Sequence, residues 1–368
     1  MIYVHIPFCR RKCTYCAFYS VASTAQRQRY ADALCHELAL RRHTMTGEVK
    51  TVYIGGGTPS SLPIGMLAQV VETLRRHYAV AHLEECTLEA NPEDLTPQYL
   101  AALRQMAFFD RISIGVQSLH DDVLRMLNRR HSAAQALEAV GNVAAAGFRN
   151  ISIDLIYGIP TLSDETWRDT LRQVATLPVQ HLSAYALTVE PSTILERQMA
   201  QGRVPAIDEE QAVEQYQTLL QWAEGQGFRQ YEVSNFARQG HRSRHNSRYW
   251  NRTPYLGVGA AAHSFDGEYR RWNVADVAQY CTLLETGRVP HDEEQLTLRD
   301  AYNEYVMTAL RTVEGIDKAH VPPPFARHLD TAIKPYIANN LILPTPSHYR
   351  PTPAGILHAD GIAAALFA

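Results

Sequence analysis

Short apolar segments alternate with longer amphipathic segments over the first half of the chain, and this alternation limits the possible folds more than any other feature. Six short segments have the pattern of strands, and the segments between them have helical periodicity. The alternation predicts an α/β fold with a parallel sheet, either flat and doubly wound or curled into a partial (β/α)6 barrel. The predicted strands cover 2–6, 51–55, 85–90, 111–116, 151–156 and 181–187.

This alternation ends near residue 190, and the last part of the chain has a different pattern. Residues 295–368 are predicted to form two helices, an extended pair and a final helix, which is typical of a small, mostly helical, winged-helix-like domain. We therefore divide the chain into a barrel domain (1–235), a connecting segment (236–294) and a C-terminal domain (295–368). Basic residues are few in the last domain and the formal charge is −3, so we expect no nucleic-acid binding.

The sequence predicts a cytoplasmic protein that is not integral to a membrane. The chain enters a strand at its start with no leader pattern, and no apolar run is long enough to span a bilayer. Cys35, Cys86 and Cys281 are scattered through patterned segments, which favours reduced core thiols rather than disulfides. A monomer or a homodimer would fit this composition.

The other three cysteines, Cys9, Cys13 and Cys16, lie in the loop after the first strand with the spacing C-x3-C-x2-C. Three thiolates in one loop can converge on one metal centre, and a [4Fe–4S] cluster held by three would keep one iron open to an outside ligand. The alternatives are a zinc site completed by His5 or three unrelated buried thiols. We favour the cluster, because zinc usually takes paired Cys or Cys and His motifs that this loop lacks.

Polar and glycine-rich residues follow the other predicted strands, where parallel sheets bind their ligands. Gly55, Gly56 and Gly57 follow the second strand, and consecutive glycines allow a ligand to approach the backbone closely. Glu89 and Asp154 end the third and fifth strands, and an acid there is costly to bury without a partner such as a ribose diol. A tight turn and helix caps are the structural alternatives for these residues.

With Tyr15 before the third cysteine and the stretch from Tyr3 to Phe8, these motifs resemble the radical S-adenosylmethionine (SAM) superfamily. Within it they resemble the HemN/HemW group of anaerobic coproporphyrinogen III dehydrogenases and heme chaperones. The resemblance implies a partial (β/α)6 barrel with a HemN-type C-terminal domain. It also implies that Cys9, Cys13 and Cys16 hold a [4Fe–4S] cluster whose open iron binds SAM, and that an electron from the cluster cleaves SAM to a 5′-deoxyadenosyl radical.

The same resemblance implies which positions contact SAM. They are Tyr3, Tyr15, Gly57, Thr58, Glu89, Gln117, Arg129, Asp154, Ala186 and Ala261.

Arg10, Arg11 and Lys12 place three cations inside the cysteine loop. Such charges would raise the reduction potential of a cluster and suit an acidic, flavodoxin-like electron donor. A solvated basic loop is an equally good interpretation.

A polar and aromatic string, His245-Asn246-x-x-Tyr249-Trp250, lies in the connecting segment ahead of a run of small residues. Most histidines are not ligands, yet imidazole can ligate heme iron and aromatic rings can pack on a macrocycle. The string is similar to the signature of the heme chaperones in the HemN/HemW group, which implies heme as a ligand and His245 as its iron ligand.

Two functions share this cluster and SAM chemistry, and whether the protein is an enzyme stays open. A heme chaperone binds heme and transfers it to acceptor hemoproteins, whereas the dehydrogenase decarboxylates two propionates of coproporphyrinogen III in porphyrin biosynthesis. Phe18 stands where the dehydrogenases carry a fourth cysteine, the first strand begins at residue 2 without their N-terminal extension, and they lack the H-N-x-x-Y-W string. These features favour the chaperone over the dehydrogenase, and over a zinc-stabilised α/β protein without a redox role.

Overall fold

The structure is a computed structural model that describes residues 1–45 and 47–368. Its largest part is a sheet in which six parallel strands stand side by side in chain order, each paired with the next. This arrangement confirms the predicted parallel α/β fold. The six strands are β1 (Ile2–Ile6), β2 (Thr51–Gly56), β3 (Glu85–Ala90), β4 (Arg111–Gln117), β5 (Asn150–Tyr157) and β6 (His181–Ala186).

The sequence predicts helix starts at Thr96-Pro97 and near Ser132, and both are observed, whereas the first helix, predicted from about Ser23, begins at Arg27. Thr96 caps one helix by accepting a hydrogen bond from the backbone N–H of Tyr99, with Pro97 at the first helical position. Ser132 and Gln135 form a reciprocal capping box at another. The helices of this half are α1 (Arg27–Leu40), α2 (Ile64–His77), α3 (Pro97–Gln105), α4 (Asp121–Met126), α5 (Ala133–Ala145), α6 (Asp164–Val174), α7 (Ile194–Ala200) and α8 (Glu209–Gly225).

The two faces of the sheet differ in polarity, as β1 illustrates. Ile2, Val4 and Ile6 are fully buried in the hydrophobic core. Tyr3 and His5 alternate with them along the strand and contact each other through Tyr3 Oη and His5 Nδ1 at 2.9 Å. Polar side chains therefore collect on the inner face of the sheet, away from the core that the helices cover.

Three short strands extend this sheet to nine. β7 (Arg229–Gln230) and β8 (Asn235–Ala237) are antiparallel additions beyond β6, and β9 (Leu256–Val258) pairs in parallel with β1. The string Tyr231-Glu232-Val233-Ser234 predicts a further short strand, and this prediction is wrong. These residues lie in the bend between β7 and β8, where Glu232 forms an isolated bridge to Thr312.

The segment 236–294 contains several elements that the sequence pattern did not indicate. A short helix carries the H-N-x-x-Y-W string, three antiparallel strands form a second sheet, and a further helix packs on α1. These elements are α9 (Arg244–Trp250), β10 (His263–Phe265), β11 (Tyr269–Asn273), α10 (Val277–Glu285) and β12 (His291–Gln295).

The C-terminal part has its own hydrophobic core, built around Tyr302, Val306 and Leu366. The sequence pattern predicts one helix near 325–339. The structure divides it into two, since Pro335 lacks an N–H and the break falls at Ile333. The elements are α11 (Leu298–Leu310), β13 (Ile316–Asp317), α12 (Pro323–Ala332), α13 (Lys334–Ala338), β14 (Ile342–Pro344), β15 (His348–Pro351), α14 (Pro353–Leu357) and α15 (Ala359–Leu366).

Charged contacts attach this C-terminal part to the rest of the chain. Glu304 on α11 binds both Arg252 and Arg270, and the Arg311 guanidinium lies 5.7 Å from the centre of the Trp250 ring. These contacts place the C-terminal part against the helix that carries the H-N-x-x-Y-W string. Within the described ranges, no helix has the length and apolar character needed to cross a membrane.

Candidate cluster and cofactor site

The loop with the three cysteines is fixed to its neighbours by backbone hydrogen bonds. Cys9 N donates to Val21 O at 3.0 Å, and Thr14 N donates to Leu127 O at 3.1 Å. Leu195 N, at the start of α7, donates to Thr14 O at 2.8 Å. The loop is thus held between segments that follow β1, β4 and β6, at the C-terminal edge of the sheet.

Two of the three sulfur atoms receive hydrogen bonds from neighbouring side chains. Thr58 Oγ1 lies 3.5 Å from Cys9 Sγ, and Arg129 Nη1 lies 3.4 Å from Cys13 Sγ. Burial raises the pKa of the Cys9 and Cys16 thiols, which favours their protonated form when no metal is bound. Hydrogen bonds to sulfur stabilise thiolates that ligate iron, so the residues of this loop fit a cluster held by three cysteines.

His5 does not face the cysteines as a fourth ligand. Its Nδ1 contacts Tyr3 Oη, and its Nε2 lies 3.2 Å from the backbone oxygen of Tyr19. Across the residues that the structure describes, no three or more Cys, His, Asp or Glu side chains converge on a single metal ion. The geometry therefore gives no support to a mononuclear zinc site completed by His5.

A hydrogen-bonded chain joins the cysteine loop to the ends of β2, β3 and β4. Asn91 Nδ2 donates to Thr58 Oγ1 at 3.3 Å, and Arg129 Nη2 donates to Asn91 Oδ1 at 2.7 Å and to Gly115 O at 2.6 Å. The buried Nε of Arg129 has no partner among the described residues. Asn91 is not among the predicted site residues, although it lies just after β3, where the fold predicts ligand-binding side chains.

Gly56 at the end of β2 and Gly57 directly after it are needed by the packing of this turn. A Cβ atom at Gly56 would lie 2.5 Å from the His5 ring, and the φ of Gly56 is +111°. A Cβ atom at Gly57 would lie 3.0 Å from the backbone oxygens of Ile6 and Phe8. These glycines therefore let the turn lie directly on the end of β1, beside the cysteine loop.

Two partly buried carboxylates face the same edge. Glu89 accepts hydrogen bonds from Tyr53 Oη at 2.6 Å and from Gly56 N at 2.9 Å, and Asp154 accepts one from Ser113 Oγ at 3.4 Å. Burial raises the pKa of Glu89 to about 7 and that of Asp154 to about 6. A ligand that brings hydroxyl or ammonium donors would stabilise the charged form of both acids.

The remaining positions predicted to contact SAM lie on the inner face or the C-terminal edge of the same sheet. Tyr3 lies with its ring centre 6.2 Å from that of Tyr53, and Tyr15 lies within the cysteine loop. Gln117 and Ala186 are the last residues of β4 and β6, and Ala261 lies in the turn after β9. The structure thus brings all the predicted SAM positions to one region.

His245 lies elsewhere. Its ring is fully buried, with Nδ1 2.9 Å from Thr51 Oγ1 and Nε2 3.2 Å from Tyr249 Oη. Thr51 is the first residue of β2, so His245 lies at the N-terminal edge of the sheet, opposite the cysteine loop. The sequence string gives no sign of this burial, and neither ring nitrogen is open to a heme iron in this conformation.

The helix that carries His245 is anchored by a carboxylate at the start of β3. Glu85 accepts hydrogen bonds from the backbone N–H groups of Arg244 and His245 and from Ser243 Oγ. The His245 ring centre lies 5.1 Å from that of Tyr53, whose hydroxyl reaches Glu89. Tyr53 therefore spans the inner space between the His245 region and the edge with the cysteines.

The geometry agrees with what comparisons of the chain with known families show. The family model described as the Radical SAM superfamily matches residues 3–174, and the model described as the HemN C-terminal domain matches residues 296–358. The protein named heme chaperone HemW of Bacillus subtilis is 34% identical over 333 residues, which cover 89% of this chain and 87% of that protein. The chain belongs to the HemN/HemW family of radical SAM proteins.

Other members of the HemN/HemW family show the same extent of similarity. The protein of the same name from Mycobacterium tuberculosis is 36% identical over 87% of this chain and 83% of its own length. The solved structure of Escherichia coli HemN, described as a coproporphyrinogen III oxidase and a radical SAM enzyme, matches with a TM-score of 0.86 at 25% identity. It covers 100% of this chain and 89% of its own chain, which confirms the partial barrel and the HemN-type C-terminal domain.

The raised pKa of Asp154 predicts a gain in stability when this acid is neutralised. Because its pKa of about 6 lies above the ordinary value of 3.8, the folded state binds more protons than the unfolded state between these values, and stability falls as the pH rises through them. We expect Asp154→Asn to stabilise the SAM-free protein at about pH 8 by on the order of 1–3 kcal/mol, seen as a higher Tm.

The control for this experiment is Asp169→Asn, because Asp169 is exposed on α6 and its pKa is lowered by Gln173 and Arg172 rather than raised. This variant should be no more stable than the wild type at about pH 8. A Tm of Asp154→Asn at or below that of the wild type would contradict the assignment of a raised pKa to Asp154.

Proposed function

We propose that this protein is a heme chaperone that carries a [4Fe–4S] cluster with SAM on its open iron and transfers heme to acceptor hemoproteins. The observation that carries the proposal is the identity of 34% and 36% to proteins named heme chaperone HemW, over most of both chains. Phe18 supports it, since a 71% exposed phenylalanine stands where the resemblance places a fourth cysteine in the dehydrogenases. The reduced thiols and the oxygen-sensitive cofactor favour a cytoplasmic location.

In this proposal the cysteine loop and the sheet edge bind the two cofactors together. Cys9, Cys13 and Cys16 hold the cluster, which when bound supplies one electron for reductive cleavage of SAM. Thr58 and Arg129 stabilise the thiolates by the hydrogen bonds described above. The proposed SAM contacts are Tyr3, Tyr15, Gly57, Thr58, Glu89, Gln117, Arg129, Asp154, Ala186 and Ala261.

We propose His245 as the heme ligand, and its burial adds a condition to this role. The Tyr249 side chain contacts His245 on one side and lines a cavity of about 130 Å³ on the other. Tyr255, Phe265 and Met307 line the same cavity. Tyr249 must therefore move before heme can reach His245, because the cavity alone is too small for a porphyrin.

The second candidate is the anaerobic coproporphyrinogen III dehydrogenase. The structural match to Escherichia coli HemN favours it, because that match extends over the whole chain. This match concerns the fold, which both branches of the family share. Phe18 and the H-N-x-x-Y-W string distinguish this chain from the dehydrogenase pattern.

Heme titration of the anaerobically reconstituted protein tests the chaperone proposal. We expect stable heme uptake, weakened on the order of tenfold or more in His245→Ala because the iron loses its protein ligand. His263→Ala is the matched control, since His263 is exposed on β10 and should not affect uptake. Heme should pass from the loaded wild type to an apo-hemoprotein, as followed by its absorption spectrum.

A second variant separates ligand loss from misfolding. Tyr249→Phe removes the hydroxyl from His245 Nε2 and should accelerate heme uptake. Equal heme affinity of the wild type and a folded His245→Ala protein would exclude His245 as the ligand. Absence of heme uptake by the wild type would refute the chaperone proposal itself.

We also propose that an acidic, flavodoxin-like protein delivers the electron at the basic part of the cysteine loop. Arg10, Arg11 and Lys12 are exposed, and Arg10 is held by Asp94 at 3.2 Å. A shallow crevice lies beside these residues, and Arg11, Arg130 and Cys13 line it. A donor docked there would lie one side chain away from a cluster-binding sulfur.

Neutralising Arg11 should slow the reduction of the cluster by an acidic donor. We expect Arg11→Gln to lower the second-order rate constant with reduced flavodoxin on the order of threefold at low ionic strength, and the difference should vanish at high salt. Arg168→Gln, an exposed arginine on α6, should leave the rate unchanged, as should either variant when dithionite is the reductant. Identical flavodoxin rates for Arg11→Gln and the wild type would exclude this docking surface.

A further inference from the structure

Helix α1 buries two polar side chains directly beneath the turn that follows β9. Tyr30 and Glu37 both have 0% of their surface exposed. Because Val258 of β9 stands opposite Val4 of β1, the turn 259–262 leaves the sheet beside the end of β1, where the cysteine loop begins. A buried carboxylate at this place needs an explanation, since burying a charge is costly unless hydrogen bonds compensate it.

The Glu37 carboxylate accepts four hydrogen bonds. Three come from other segments of the chain, and one comes from Arg41 at the C-terminal end of α1 itself. Its Oε2 accepts hydrogen bonds from Gly259 N at 2.8 Å and Tyr280 Oη at 2.6 Å. Its Oε1 accepts them from Asn273 Nδ2 at 2.8 Å and Arg41 Nη1 at 3.0 Å. Hydrogen bonds to an ionised acceptor are the stronger kind, so Glu37 joins α1, the turn after β9, the end of β11 and α10 at one point.

Tyr30 connects the same turn to the strand that leads into the cysteine loop. Its hydroxyl donates to His5 O at 2.8 Å and accepts a hydrogen bond from Ala260 N at 2.9 Å. One side chain therefore fixes the distance between the end of β1 and the turn.

The turn itself has a backbone conformation that needs such support. Gly259 has φ of +105°, and a Cβ atom there would lie 2.6 Å from both His5 O and the Tyr30 hydroxyl. Ala261 has φ of +62°, a region that alanine rarely adopts, and its N–H donates to Val274 O at 3.0 Å. A strained alanine persists only where its surroundings determine its position.

We propose that Glu37 and Tyr30 are positioning residues. They fix the Ala261 turn, relative to the end of β1, at the position that the adenine end of SAM requires. The inference rests on the proposed SAM site, in which the family resemblance implies that Ala261 contacts the adenine end. Ala261 is partly exposed between the buried Ala260 and Ala262, and its small side chain lets a flat ring approach the turn. The two α1 side chains fix where that ring meets the backbone. Helix α1 therefore sets the positions of both the cysteine loop and the turn, although Cys9 and Ala261 are far apart in the chain.

Binding of SAM and of methionine to the cluster-loaded protein tests this proposal. Methionine carries the amino and carboxylate groups of SAM but has no adenosyl group. We expect Glu37→Gln and Tyr30→Phe each to weaken SAM binding about tenfold and to leave methionine affinity and iron content unchanged. Tyr78→Phe is the matched control, because its buried hydroxyl donates to Leu38 O of the same helix away from the turn and should not affect SAM binding.

The outcomes separate this proposal from the proposed function. Unchanged SAM affinity in a folded, cluster-loaded Tyr30→Phe protein would overturn it, as would an equal loss of SAM and methionine affinity. If Glu37→Gln does not fold, Tyr30→Phe alone decides, since it removes a single hydroxyl. A cluster-loaded wild type that binds methionine but not SAM would refute the SAM site itself, and the positioning role with it.

Discussion

The parallel pairing of β1 to β6 determines which loops lie next to one another at the edge of the sheet. Each strand must return over a helix to the same starting edge, so all six C-terminal ends meet at the other edge. The register places Ile6 opposite Gly56 and Tyr157 opposite Ala186. The cysteine loop, the glycine turn and the two acids therefore become neighbours although they are spread over more than half of the barrel sequence.

This arrangement buries charged side chains, and neighbouring groups of opposite charge on the inner face of the sheet compensate the unfavourable free energy of burial. Arg111 is 1% exposed, and although burial lowers its pKa, the nearby Glu85 and other groups raise it overall. Glu85 and Glu89 lie on the same face of β3, so one strand sends a carboxylate to each edge. Glu85 holds the helix of His245, whereas Glu89 holds the glycine turn. Tyr53 contacts both regions, since its ring lies beside that of His245 and its hydroxyl donates to Glu89.

Much of the parallel α/β half follows from the sequence, because its six parallel strands and several helix caps have local signals. Thr96 with Pro97 and Ser132 cap helices where the pattern predicts them, whereas Glu89 and Asp154 lie within β3 and β5 rather than beyond their ends. The elements between 236 and 294 do not, since strands of three to five residues have too short a pattern to be recognised. One of them, β9, also depends on a partner distant in the chain, because it pairs with β1. The burial of His245 was unpredictable for the same reason, because Thr51 and Glu85 determine it.

We propose that this protein carries its cluster and SAM as a heme-transfer protein, and that it does not decarboxylate a porphyrinogen. The most direct measurement is anaerobic incubation of the reconstituted protein with SAM, a reductant and coproporphyrinogen III, followed by chromatography of the tetrapyrroles. We expect coproporphyrinogen III to remain unchanged, while parallel samples retain added heme. Formation of protoporphyrinogen IX at a rate proportional to the protein concentration would contradict it.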